Sequence, residues 1–288
     1  MGIRGRIKRE IRRVNRWLHP LTSAQLLETL RSFGPFPTER LMVHSSLSAC
    51  GYIRGGPTAV IEVLRTWIGE RDLVMPTHTY CYPDKDGRVP QFNPAVTPSL
   101  IGAITNALWR QPNVVRSLHP THSLACWGAG AAELCAGHEF CDTPCGAGTP
   151  YEKLVSEDAS VLMFGVTLNT YTLFHTAADA ARVPYLYERA PCHLEAIDRA
   201  GQIRRITMRR HDISIPRRYA QMDHWLEERG LLLRRSLGLG QLLFIPHAGA
   251  VHRQLLDALH IDPLLLVAPD ARASLAERFG VVTPARFA

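Results

Sequence analysis

Three short loops share one design, and that design restricts the fold of this 288-residue chain more than any other feature. Each sets small hydroxylated residues beside a histidine at the boundary of an apolar strand: HSSLS at 44–48, PTHT at 76–79 and HPTHS at 119–123. The first two follow buried apolar runs, LMV at 41–43 and LVM at 73–75, and between them residues 57–68 read as a helix with proline at its start. A third apolar run at 161–166 is turned by Asn169 and Thr170 into a helical stretch at 173–181. Strands alternating with helices predict an α/β sheet whose strand ends converge on one crevice. Backbone N–H groups and hydroxyls there suit a phosphate or an acyl carrier, and Gly51, Gly55 and Gly56 let the backbone approach such a ligand closely.

The remaining pattern fills in the frame. Residues 22–33 read as a helix capped by Thr22 or Ser23, and residues 99–109 and 130–136 as further helices. Residues 81–98 hold four prolines and read as a long surface loop, of the kind that is usually functional. After Pro191 the character changes, with short alternating strands at 193–198, 203–208 and 212–215 and closing helices at 219–228 and 248–259. This predicts one domain over 21–288, a mostly parallel central sheet with an elaborated C-terminal β/α subregion. Residues 1–20 are predicted to form a separate basic amphipathic helix.

That helix carries nearly all the net charge of +7. Residues 1–16 hold seven basic side chains against Glu10, leaving 26 basic and 25 acidic side chains elsewhere. Ile3, Ile7, Ile11, Val14 and Leu18 make its apolar face. Such a helix docks on its own protein body or lies on an anionic membrane surface. Nucleic acid is not expected, because no recognition motif accompanies the charge. No run of eighteen apolar residues is present, no signal peptide is expected, and seven cysteines without a secretory context read as reduced thiols. The expected location is the cytoplasm, including the periphery of the inner membrane. The chain has no P-loop, GxGxxG or GxSxG, which argues against an ordinary ATPase, a Rossmann dehydrogenase and an α/β-hydrolase.

His175 stands in the first turns of the helix after 161–166, where nothing in a core requires it. A histidine so placed is either a packing residue or a general base. The motifs LMVHSSLSACGYIRGGP, LVMPTHT, FNPAVTPS, VRSLHPTHSLACWG, CGAGTPYEKL and VLMFGVTLNTYTLFHTA, followed by VPY, resemble the aminoglycoside 3-N-acetyltransferase family over residues 41–185. The resemblance implies a three-layer α/β/α sandwich, distinct from the GNAT acetyltransferases, and acetyl-coenzyme A-dependent N-acetylation of an amino sugar without a metal. It also implies that His175 is the base. By the family pattern His44, Ser45, Ser46, Leu47, Ser48, Thr77, Arg116, Ser117 and Ser123 would line the coenzyme, with Arg116 or a neighbour meeting its 3′-phosphate.

The chain departs from that pattern at two positions. The family places Asn four residues before this histidine and Glu three residues after it, where this chain has Tyr171 and Ala178. A carboxylate at 178 would share the helical face of His175 and orient its ring, whereas Asp179 lies about 100° away round the helix. Three accounts stand: a subfamily with a rearranged site, an engineered Glu→Ala substitution, and a member that binds coenzyme without catalysing. Candidate acceptor-binding residues are Thr79, Tyr80, Asp84, Asn169, Tyr171 and Asp179, with Asp86, Glu139 and Asp142 as further sources of acidity for a polycationic drug. The basic N-terminal helix favours instead an amino sugar on a nucleotide or lipid carrier, for surface polysaccharide. The histidines at 44, 78, 119 and 122 lack a motif such as HExxH, and the group Cys135, His138, Cys141 and Cys145 is spaced loosely like a zinc site but without a CxxC pair. No metal is expected, and a homodimer is left open.

Overall fold

Alternation along single strands decides the architecture of the computed structural model, which describes residues 20–282. The basic helix expected over 1–20 lies, but for Pro20, outside the described residues. Helix α1 (Ser23–Arg31) starts in a capping box between Thr22 and Gln25. Strand β1 (Arg40–Ser45) leads through a 3₁₀ turn to α2 (Gly56–Ile68), with Pro57 in its first turn, and then to β2 (Asp72–Pro76). Next come the two-residue β3 (Gln91–Phe92), α3 (Ala103–Trp109), β4 (Val114–Arg116), β5 (Leu124–Trp127), α4 (Ala131–Cys135) and α5 (Pro150–Ser156). Strand β6 (Ser160–Phe164) and α6 (Leu173–Ala180) carry the stretch around His175. A long hairpin of β7 (Tyr187–Ile197) and β8 (Ile203–His211) follows, then α7 (Met222–Glu228). The hairpin of β9 (Leu233–Leu237) and β10 (Gly240–Ile245), then α8 (Ala248–Ile261) and α9 (Arg272–Phe279), complete the described chain.

Seven strands form one sheet in the order β4-β5-β2-β1-β6-β10-β9. Its centre, β2-β1-β6, is parallel, and the flanking strands join antiparallel. Met42, Val74, Val161, Met163, Leu243 and Ile245 face one core with α4 to α9. Their neighbours Leu41, Val43, Leu73, Leu162, Phe164 and Phe244 face the other, with α1 to α3. Burial on both faces is why these strands read as unbroken apolar runs. The result is the expected three-layer α/β/α sandwich. Hairpin β9–β10, which the sequence patterns did not reveal, extends the sheet beyond β6.

The C-terminal β subregion is a second sheet, β3-β7-β8, packed around Phe92, Leu194, Ala196, Ile206 and Met208. Its third strand is not the segment expected at 212–215. Asp212 closes an Asx turn there, its Oδ1 accepting from the Ser214 backbone at 3.0 Å. Residues 91–92 of the long proline loop pair with β7 instead. The seven cysteines are all free thiols.

Gly165 fixes how β6 leaves the sheet beside the first hydroxyl loop. Its φ is +67°, and an added Cβ would sit 2.8 Å from the Ser46 carbonyl oxygen and 3.0 Å from Cys50 Sγ. Gly165→Ala is therefore expected to destabilise the fold by about 2–4 kcal/mol, from left-handed strain and overpacking together. A urea midpoint equal to that of the native protein would contradict this.

Candidate active site

Because β1, β2 and β6 run parallel, their C-terminal ends share one edge of the sheet. Strand β5 runs antiparallel to β2, with Leu124 opposite Pro76, so the loop entering β5 reaches that same edge. These loops enclose a cavity of ≈ 220 Å³. From β1 come His44 and Ser45, from the loop after β2 His78 and Tyr80, and from the loop before β5 His122. Asn169, Tyr171 and His175 line it from the β6–α6 connection, and Tyr219 closes it from the C-terminal half. Asn169 holds that closure in place, its Oδ1 accepting from the Ala220 backbone at 2.9 Å.

Of the residues singled out in the sequence, His44, Ser45, Tyr80, Asn169, Tyr171 and His175 meet at this cavity. Ser46, Leu47 and Ser48 continue from Ser45 along the turn beyond β1. The others lie elsewhere. Thr77 Oγ1 and Ser123 Oγ are 2.8 Å apart in the interior and share the Nε donor of Arg116. Ser117 Oγ is bound to His138 Nδ1 at 2.9 Å. Arg116 does not line this cavity. Its guanidinium is enclosed between the rings of Phe92 and Trp109, and the other two nitrogens donate to the Thr97 and Thr77 carbonyls at 2.6 and 3.0 Å. Each nitrogen makes an internal hydrogen bond, and through the Thr97 carbonyl Arg116 braces the proline loop.

The acceptor-side candidates divide in the same way. Thr79 is buried, its hydroxyl donating to the Pro120 carbonyl. Asp84 caps an exposed loop tip by accepting from Asp86 and Arg88, both at 2.9 Å, away from the cavity. Asp179 accepts from the Tyr187 hydroxyl at 2.5 Å, and Ala178 packs in the core beneath α6. Neither lines the cavity. Tyr171, standing where the family pattern has Asn, does line it, with its ring edge-on to Phe174 at 4.7 Å.

His175 is half-buried on the cavity wall. Its Nδ1 is sequestered with no hydrogen-bond partner, on the ring that a carboxylate at 178 would orient. Burial pushes its pKa down to about 3, and Arg217 and His78 add to the effect, so the ring is a neutral imidazole near pH 7. His44 and His78 are likewise held down to about 3 by burial, and His122 well below its usual value. The tautomer of His78 follows from its neighbours. Tyr151 donates its only hydroxyl proton to the His122 carbonyl, so it accepts from His78 Nε2 at 3.0 Å. His78 Nδ1 then accepts from Tyr80 at 3.1 Å. The cavity wall is therefore built of neutral imidazoles, hydroxyls and rings. No Asp or Glu lines it among the described residues.

Sequence reasoning missed His211, whose ring stacks on His175, as well as Arg217 and Tyr219. The one available signal was the apolar alternation of β8, which a bulge interrupts just before His211. Among the described residues no group of three or more His, Cys, Asp or Glu is placed to hold a metal ion. No described helix is long and apolar enough to cross a membrane.

A family model described as aminoglycoside 3-N-acetyltransferase matches residues 42–254. Aminoglycoside N(3)-acetyltransferase VII of Streptomyces paromomycinus is 36% identical over 182 residues, 57% of this chain and 62% of that protein. Aminoglycoside N(3)-acetyltransferase IX of Micromonospora chalcea is 32% identical over 180 residues, 57% of this chain and 64% of the relative. The chain thus spans less than two thirds of the length of these two. Aminoglycoside N(3)-acetyltransferase IV of Salmonella sp is 31% identical over 247 residues, covering 85% of this chain and 90% of the relative. Among solved structures, the apoenzyme of aminoglycoside acetyltransferase AAC(3)-IVa superposes with a TM-score of 0.75 at 27% identity, covering 91% of this chain and 98% of that one. A histidine-to-alanine mutant of the same enzyme in complex with a gentamicin gives 0.76 at 28% identity, covering 89% and 94%. AAC-IIIb, solved as a binary complex with CoASH, shares the fold with a TM-score of 0.73 at 24% identity, covering 92% and 100%.

Proposed function

Because the chain belongs to the aminoglycoside 3-N-acetyltransferase family, we propose that it transfers an acetyl group from acetyl-coenzyme A to an amino group of an amino sugar, with His175 as the general base. The observation that carries this reading is the neutral imidazole of His175, on a cavity wall beside two buried polar atoms without partners. Those atoms are His44 Nε2 and Ser45 Oγ, at the end of β1. Buried polar groups are rarely left unpaired, so they fit the amides of a pantetheine arm or the thioester oxygen. Ser46, Leu47 and Ser48 would continue the coenzyme site along the turn. The bound coenzyme supplies the activated acetyl thioester.

The acceptor nitrogen attacks only as a free amine. His175 takes the proton released as the new C–N bond forms and returns it to the sulfur as the C–S bond breaks. His175→Ala is expected to lower acetyl transfer by ~10²–10⁴-fold while acetyl-coenzyme A still binds. The check is consumption of acetyl-coenzyme A by the native protein and the variant against aminoglycosides and amino-sugar nucleotides. An unchanged rate in the variant removes His175 from the role.

The relatives' names point to an aminoglycoside acceptor. A second reading rests on the cavity wall, to which no described residue contributes a carboxylate, and on Arg217 close enough to depress the pKa of His175. Aminoglycosides are polycations, and such a wall attracts them poorly. It suits an amino sugar bearing phosphate, on a nucleotide or lipid carrier. A third reading, of a coenzyme-binding protein with impaired catalysis, rests on Ala178 and on the unpartnered Nδ1 of His175. Acetylation of any acceptor in the assay excludes it.

A further inference from the structure

Position 178 offers His175 no carboxylate, yet its imidazole is firmly held. The ring lies face to face on that of His211, centroids 4.0 Å apart and planes 18° from parallel. Tyr187 continues the stack on His211 at 5.3 Å and 13°. The two are opposed because Tyr187 and His211 are cross-strand partners in β7–β8. The Tyr187 hydroxyl then donates to Asp179 at 2.5 Å. The set of contacts thus leaves α6 at His175, passes through two rings of the hairpin and returns to α6 one turn later. Tyr219 meets the His175 ring edge-on at 5.8 Å and 88°.

We infer that His211 is a positioning residue for His175: its ring fixes the orientation of the base and stabilises the imidazolium formed during acetyl transfer. This deepens, and rests on, the reading of His175 as the base. His211 itself is 4% exposed, has a sequestered Nε2 and does not line the cavity, so it touches neither substrate. It exchanges no proton; the proton passes from the amine to His175 and on to the departing sulfur. The groups around the imidazole leave this role open. Arg217 and His78 both oppose a positive charge on His175, and among the described residues no acidic group contributes in its favour. A cation over the face of a neutral aromatic ring is stabilised by the ring's electron density, and that is the interaction His211 supplies. Its own burial, with His175 and Arg217 adding to the effect, keeps His211 neutral.

The test compares His211→Phe, which keeps a ring, with His211→Leu, which fills similar space without one. Acetyl-coenzyme A is the donor and gentamicin the acceptor. The Leu variant is expected to lose about tenfold in kcat with an unchanged KM for acetyl-coenzyme A, and the Phe variant no more than about threefold. In a His175→Ala background, adding His211→Leu is expected to change nothing further. Equal losses in the Leu and Phe variants, or a full tenfold loss from His211→Leu without His175, would overturn the inference. Full activity of His175→Ala alone removes the base, and the inference with it. A second measurement needs no turnover. In ¹H–¹³C spectra near pH 7.5, the ring-current shift of the His175 Cε1–H is expected to persist in the Phe variant and to vanish in the Leu variant. A shift retained in the Leu variant would show that His211 does not position the base.

Discussion

Between pH 7 and pH 5 the protein is expected to unfold, taking up several protons as it does so. Besides His252, seven histidines, His44, His78, His119, His122, His138, His175 and His211, have pKa values lowered by burial. Where a value can be assigned, at His44, His78, His138 and His175, it is about 3. In the unfolded chain each protonates near ~6.5. Between those limits the unfolded state binds more protons than the folded state, so stability falls as pH falls, by ~1.4 kcal/mol per unit for each group. Above pH 7 both states are neutral at these positions and the effect disappears. One unit below the unfolded pKa, seven such groups together cost on the order of 10 kcal/mol, as much as the ~5–15 kcal/mol that holds an ordinary domain together. An acid midpoint between about pH 5 and 6 is expected, seen as coincident loss of far-UV circular dichroism and a shift of tryptophan fluorescence. A urea midpoint that is the same at pH 5 and pH 7.5 would contradict it. The consequence for activity is that the acid limb of a pH–rate profile would report unfolding before it reported His175.

That histidine array shows where sequence legibility stops. The strands β1, β2 and β6 were readable because burial on both faces turns them into short apolar runs, and His175 because it follows a strand and a polar turn into a helix. Which hydroxyls serve a ligand was not readable. Ser45 Oγ is unpartnered at the cavity, whereas the chemically equivalent Ser123 Oγ is consumed by Thr77 and Arg116. That difference depends on partners 46 and 7 residues away. His211 was hidden by backbone irregularity. Ile206 and Met208 set an alternation that should place Arg210 inside, but three residues separate Tyr187 from Pro191 opposite the single Arg210. The bulge turns His211 inward and leaves Arg210 to pair with Glu188 at the edge. Neither residue's fate follows from local pattern, since both depend on the strand across the hairpin.

Ala178→Glu is expected to raise the rate of acetyl transfer at least tenfold, with the KM for acetyl-coenzyme A unchanged. The Nδ1 of His175 is unpartnered and its pKa is held down to about 3 by burial. A base that weak accepts a proton from an alkyl ammonium group only with a large uphill step. Residue 178 follows His175 by three positions in α6, on the same helical face. A carboxylate there would accept the Nδ1 proton and favour the imidazolium, and an opposite charge within ~4–6 Å moves a pKa by ~1–3 units. Each unit gained is tenfold in proton affinity. The substitution has a cost in stability, because Ala178 is 1% exposed in the core, and ~1–3 kcal/mol of overpacking is expected. Position 178 also borders a surface groove with Arg182 and Arg209, whose charges can offset a new carboxylate. Ala178→Gln separates orientation from charge: it offers a hydrogen-bond acceptor without the negative charge, so it should recover less than the Glu variant. If a folded Ala178→Glu variant gains nothing, residue 178 does not limit turnover, and the aromatic stack on His211 already does the work of the absent carboxylate. If it gains as expected while His211→Leu still lowers the rate, the two devices act on the same imidazolium from different sides, one by charge and one by its ring face.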